Sequence, residues 1–205
     1  MTDPARLFLR AARRWAPLSD AQGETLLAGF ATRRADANTP VSLPGDERHE
    51  ILFVAEGLLR FYYPGTEGRE SNKAFVTEGE FAGALASAQL GVPLLYGIEA
   101  LEPTVYLAMP VTAFSALMDG EPAFERLGRR LAETILARKE RTTRDLLLKS
   151  ATERYVGLLA ERPDLVQRVP QYHLASYLGM TDVHLSRVRR ALAEGERSGE
   201  VLNTG

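Results

Sequence analysis

Between Gln171 and Arg190 the chain reads QYHLASYLGMTDVHLSRVRR, and its most chemically suggestive side chains fall there. At 100° per residue, Leu185, Val188 and Leu192 share one side of a helix that starts after Thr181. The opposite side holds Val183, Ser186, Arg187 and Arg190. A solvent face with no task usually mixes glutamate with lysine, whereas this one is cationic, short-chained and free of acids. Arginine can grip guanine O6 and N7, serine can serve several bases, and a small apolar side chain can touch the thymine methyl group. Asp182 stands at the flank in the first turn, where its charge suits a helix N-terminus. Arg189 lies nearer the apolar side and is placed for a phosphate. Gln171 and Tyr172 open a preceding helix whose N-terminus would cross a nucleic-acid backbone.

Such a face needs two helices to hold it at a fixed angle, and the same residues meet that demand. Ala175 is small where the helices touch, and Gly179, four positions later, tolerates the positive φ of the turn. Leu174, Leu178, Met180, Leu185 and Val188 fill the angle, and Thr181 caps the second helix. The spacing predicts a helix-turn-helix with double-stranded DNA as its partner. Packing alone would allow an αα-hairpin with no such role; the cationic outward face distinguishes the two.

The rest of the chain must carry this pair. Its 205 residues, 45% hydrophobic and 25% charged, exclude a disordered chain and allow one large or two small domains. Residues 1–137 hold 13 Lys/Arg against 18 Asp/Glu, whereas residues 138–190 hold 11 against 6, so the charge changes sign between the halves. Residues 3–28 read as helical, with Asp3 or Ser19 as caps. Residues 32–109 run in short apolar stretches broken by turns such as Glu56-Gly57 and Pro64–Gly68, which predicts antiparallel strands in a barrel, roll or sandwich. Ile51 and Phe53, and Leu59, Phe61 and Tyr63, follow the alternation of half-buried strands. From Glu121 to about Lys149 the apolar residues recur at helical spacing, predicting one helix about 43 Å long that spans two domains or pairs with a copy of itself. Ser150 and Glu153 form a capping box for a further helix, which Pro163 closes. The domains expected are residues 1–120, the long helix 121–149, and residues 150–205.

This plan resembles the cyclic-AMP receptor/Fnr (Crp/Fnr) family of bacterial transcription regulators. The similarity runs through FVAEGLLRFYYPGTEGRE, EGEFAG, the long helix, and ERYVGLLAERPDL leading into VPQYHLASYLGMTDVHLSRVRR. It implies an α+β chain: a β-roll of the cyclic-nucleotide-binding type, a homodimer through the long helix, and a winged helix-turn-helix on a two-fold symmetric operator. RNA polymerase is a further partner that the resemblance implies. Nucleotide-binding members carry a Gly-Glu pair for the ribose and a following arginine for the cyclic phosphate. Here Gly83 is followed by Ala84, and Pro93-Leu94-Leu95-Tyr96 holds no cation. A phosphate buried without a counter-charge costs several kcal/mol, so no cyclic nucleotide is expected to bind. Arg60, Arg69 and Lys73 are the remaining cations near strands, and Arg60 should point away from the face of Leu59 and Phe61. Little strand-like sequence follows Glu196 to build a wing.

Other chemistry is poorly supplied. The absence of cysteine removes disulfides, thiolate metal sites and iron–sulfur clusters. His49, His173 and His184 are scattered, and His49 reads as a strand-end residue. Glu67/Glu70 and Glu78/Glu80 read as solvated loop pairs, and Arg6, Arg10, Arg13 and Arg14 as a solvated helix face. No cofactor or catalytic residue is expected. The N-terminus lacks a secretory signal's uninterrupted apolar core, and no apolar run of transmembrane length occurs, so a cytoplasmic chain with no membrane partner is expected. Three rival readings are a roll that binds a different small molecule, a cupin-like enzyme with a DNA-binding appendage, and a protein-interaction module.

Overall fold

The structure, a computed structural model, describes residues 3–65 and 68–198. The chain divides into two compact units, residues 1–138 and 139–205. Thr66 and Glu67 of the Pro64–Gly68 turn, and residues 199–205, where strand sequence for a wing was sought, lie outside the described residues.

The first unit opens with α1 (Pro4–Arg13) and α2 (Asp20–Ala28). Both anticipated caps serve. The Asp3 carboxylate accepts from the Ala5 amide at 3.0 Å, and Ser19 forms a reciprocal capping box with Gln22. Eight strands follow: β1 (Ala31–Ala35), β2 (Thr39–Ser42), β3 (Glu50–Glu56), β4 (Leu58–Pro64), β5 (Glu70–Thr77), β6 (Phe81–Gly83), β7 (Gly97–Ala100) and β8 (Thr104–Pro110). They pair into two antiparallel sheets, ordered β1-β8-β3-β6 and β2-β7-β4-β5. Three helices complete the unit: α3 (Leu85–Leu90), α4 (Val111–Gly120) and the start of α5 (Pro122–Leu148).

The half-buried alternation anticipated for β3 is absent, because the first sheet is covered on both faces. Ile51 and Phe53 pack with Phe8, Leu26, Phe114, Phe124 and Leu127 beneath the helices. Leu52 and Val54 pack with Leu59, Phe61, Val76 and Ile98 between the sheets. Each such side chain contributes about 1.5–3 kcal/mol relative to exposure, so two layers share one sheet as their common wall. Strand β4 departs from that alternation as well, since Leu58 to Tyr62 are all buried. The β4–β5 register then slips, pairing Phe61 with Ala74 and Tyr62 with Asn72, so Lys73 is the extra residue of a bulge and Tyr63 is 40% exposed.

Helix α5 is 27 residues long, or about 40 Å. Pro122 sits at its first position, where a missing N–H is harmless. Phe124, Leu127 and Leu131 are buried, while Leu136 and Leu147 on another side are exposed. No helix among the described residues is long and apolar enough to cross a membrane.

The second unit contains α6 (Ala151–Glu161), α7 (Pro163–Arg168), α8 (Gln171–Tyr177) and α9 (Asp182–Ser198). The Ser150–Glu153 capping box forms, with the Ser150 amide donating to the Glu153 carboxylate at 2.7 Å. Those bonds hold the Glu153 carboxyl below its ordinary value. Pro163 does more than close α6: it opens α7, since its fixed φ suits a first helical turn.

Candidate nucleic-acid interface

Helices α8 and α9 meet at the residues whose sizes anticipated it. Ala175 is buried at the contact, and Leu174, Leu178, Leu185 and Val188 fill the space between them; Met180 is half-buried. Gly179 turns the chain at φ +66°, a conformation that favours glycine. The Met180 amide donates to the Ala175 carbonyl at 3.0 Å, and the Thr181 hydroxyl caps α9 by accepting from the His184 amide at 3.2 Å. One brace is not visible in the sequence. The Arg154 guanidinium on α6 donates to the Leu178 carbonyl at 2.8 Å, fixing the turn from 24 residues away.

The solvent side of α9 carries Val183, Ser186, Arg187 and Arg190, all exposed. Among the described residues neither Arg187 nor Arg190 forms an ion pair. Tyr172 is 59% exposed at the start of α8, and its ring packs against buried His173 with centroids 4.1 Å apart. The other three candidates form a chain of their own. The Gln171 amide donates to the Asp182 carboxylate at 2.7 Å, and its carbonyl oxygen accepts from Arg189 at 3.1 Å. Asp182 therefore fixes which end of the Gln171 amide faces Arg189, and Arg189 is drawn toward the N-terminus of α8. All nine candidate residues thus lie on α8, α9 or the turn between them.

The roll presents a different picture where the resemblance implies a nucleotide. Ala84 is buried at the glutamate position, and Leu94 and Tyr96 fill the space between the sheets beside Phe61. The Tyr96 hydroxyl donates to the Gly83 carbonyl at 3.1 Å, and burial pushes its phenol up to about 12. The Lys73 ammonium stands 3.6 Å from the centre of the Tyr96 ring. Arg60 points away from Leu59 and Phe61, as its place between them requires. It is nevertheless buried, paired with Glu99 and Glu70 and stacked 4.3 Å over Tyr62. His49 binds the Val92 carbonyl through Nε2 at 2.9 Å. Among the described residues no group of three His, Asp or Glu could hold a metal ion.

A double-sheet roll followed by helices is the fold of the Crp/Fnr-type transcription regulators, and this chain has that fold. Residues 32–121 match the family model of the cyclic nucleotide-binding domain. The chain is similar to FixK2 from Bradyrhizobium japonicum, at 21% identity and a TM-score of 0.69, over 86% of this chain and 89% of that one. It is also similar to a protein from Eubacterium rectale assigned to the Crp/Fnr family of transcriptional regulators, at 19% identity and a TM-score of 0.67, over 89% of each chain. A third similar structure is the c-di-GMP responsive global regulator CLP of Xanthomonas campestris, at 20% identity and a TM-score of 0.63, over 84% of this chain and 91% of that one. No curated protein sequence matches the chain.

Proposed function

We propose that this chain is a sequence-specific DNA-binding transcription regulator of the Crp/Fnr type, acting as a homodimer in the cytoplasm without a cyclic nucleotide. The observation that carries the reading is the outward face of α9. Val183, Ser186, Arg187 and Arg190 stand together in solvent on a helix held by a tight turn, and no carboxylate among the described residues neutralises the two arginines. Helix α9 is the recognition helix of a helix-turn-helix, placed to enter the major groove. Gln171, Tyr172 and Arg189 lie at its edge for phosphates.

Self-pairing is supported by α5, where Leu136, Thr143 and Leu147 share one side and the two leucines are 60% and 77% exposed. Independence from cyclic nucleotides is supported by the inter-sheet space. A cyclic phosphate there would meet Ala84 in place of a carboxylate and the Tyr96 ring in place of an arginine. Lys73 lies over that ring. Selection of bound sequences from a random duplex pool tests the reading. The expected result is a pseudo-palindrome with half-sites about one helical turn apart. Recovery of no preferred sequence, with no steeply salt-dependent binding to random duplex DNA, would point instead to a protein partner.

A further inference from the structure

The first unit has a crevice on the far side of the first sheet from the inter-sheet space, walled by the start of the α1–α2 connection, the β5–β6 turn and one face of α5. We propose that it binds a small organic acid with a flat or branched apolar body. Its volume is about 350 Å³, within the usual range of small-ligand pockets and room for about ten water-sized groups. The walls divide by chemistry. Trp15, Phe81, Leu131 and Ile135 supply apolar surface, with the Trp15 and Phe81 rings 5.1 Å apart, while Arg14 and Arg138 supply guanidinium groups.

The two carboxylates that also reach the crevice are engaged with the protein itself. Glu78 accepts from the Gly57 amide at 2.9 Å. Glu80 accepts from the Thr77 amide at 2.9 Å and from Arg138 at 3.0 Å. Arg14 differs: among the described residues its one hydrogen bond is a 3.4 Å contact to the Gly79 carbonyl, which leaves most of its five donors for a ligand. Arg14 also lines an adjoining groove with Arg6, Arg10 and Arg13, and no Asp or Glu lies between Asp3 and Asp20. Arg138 is balanced by Glu80 and Arg13 of the groove is paired with Asp20, so the lining is formally neutral. Arg14 nevertheless keeps donors to spare beside Arg6 and Arg10, and the floor is apolar. A carboxylate at Arg14 with its hydrocarbon part on Trp15 and Ile135 satisfies both, whereas a cation or a fully polar ligand satisfies neither.

Trp15 is the chain's one tryptophan, so its emission reports on this crevice alone. The full-length protein, without DNA, is titrated with phenylacetate, 4-phenylbutyrate and 4-methylpentanoate, following Trp15 fluorescence and heat. Phenylacetamide, the uncharged analogue, is the control. At least one acid should bind saturably, and phenylacetamide more weakly than phenylacetate. Arg14→Gln should weaken the acid about tenfold and leave the amide unchanged, with Arg14→Lys intermediate because it keeps the charge and loses the fork. The proposal is overturned if none of the three acids binds, if phenylacetate and its amide bind alike, or if Arg14→Gln changes nothing. Because DNA is absent, these outcomes are independent of the recognition reading.

Discussion

The second sheet of the roll, with its cationic and aromatic groups, and the outward face of α9 use charge in opposite ways. Around the roll's second sheet those groups are turned on one another. Arg60 is held by Glu99 and Glu70 over Tyr62, and Lys73 stands over Tyr96, whose hydroxyl is tied to Gly83. On α9, Arg187 and Arg190 face water together with Val183 and Ser186. A buried charge must be paired to be tolerated, so its partners reveal what keeps the fold together. An exposed charge left without a partner contributes little to the fold, so its placement points outward. Residue type alone does not separate the two uses; burial and pairing do.

Substitutions that exchange these situations test the contrast, beginning with the largest effect. Arg60→Ala leaves Glu99 and Glu70 facing each other without a cation and should destabilise the protein by about 3–5 kcal/mol in chemical denaturation, with DNA specificity unchanged. Tyr96→Ala should cost about 3–4 kcal/mol by opening a cavity between the sheets. Isothermal titration should show no cyclic AMP binding to the wild type or to that variant, because Ala84 stays in place; micromolar binding to the wild type would sink the nucleotide-independent reading. Arg187→Ala should show the reverse pattern: stability within about 0.5 kcal/mol of wild type, a loss of about 1–3 kcal/mol in specific DNA binding, and a relaxed preference at one base position. Asp182→Ala should have the smallest effect, weakening DNA binding by about 0.5–1 kcal/mol across all sequences, since it only frees the Gln171 amide to turn.

The Tyr96 phenol gives a pH test of the same contrast. Its folded-state value lies above that of a free tyrosine, so its contribution to stability is complete below about 10 and is lost as pH rises through about 12. Wild-type stability should therefore fall over that alkaline window. Tyr96→Phe should flatten this part of the profile, whereas Arg187→Ala should leave it unaltered.

What could be read in the sequence was local. Asp3, Ser19, Ser150 and Thr181 declare their caps within three residues, and Ala175 and Gly179 declare the turn within five, because the partners that fix them lie that close. Distance hid the rest. Arg60 looked like an ordinary outward strand residue because Glu99 lies 39 positions away, and the Arg154 brace crosses 24. The Gln171–Asp182–Arg189 chain joins two helices over 11 and 18 positions. The second buried face of β3 depends on helices from both ends of the first unit, so no period within ILFVA could reveal it. The crevice at Trp15 is hidden for the same reason: its three walls come from residues 14–15, 78–81 and 131–138.

Strand β6 is three residues long, lies at the edge of its sheet and pairs only with β3. Phe81 leans into the helical layer against Trp15, the next residue, Ala82, leans between the sheets, and the Gly83 carbonyl receives the Tyr96 hydroxyl. The helical layer and the inter-sheet layer are thus divided here by a single ply of backbone, anchored along one margin. The Phe81 ring and the Gly83 carbonyl that receives Tyr96 stand two peptide units apart on a strand hydrogen-bonded along one side. At β3 and β8, each laddered on both sides, the first sheet is a bulkhead; at β6 the same wall narrows to its thinnest margin.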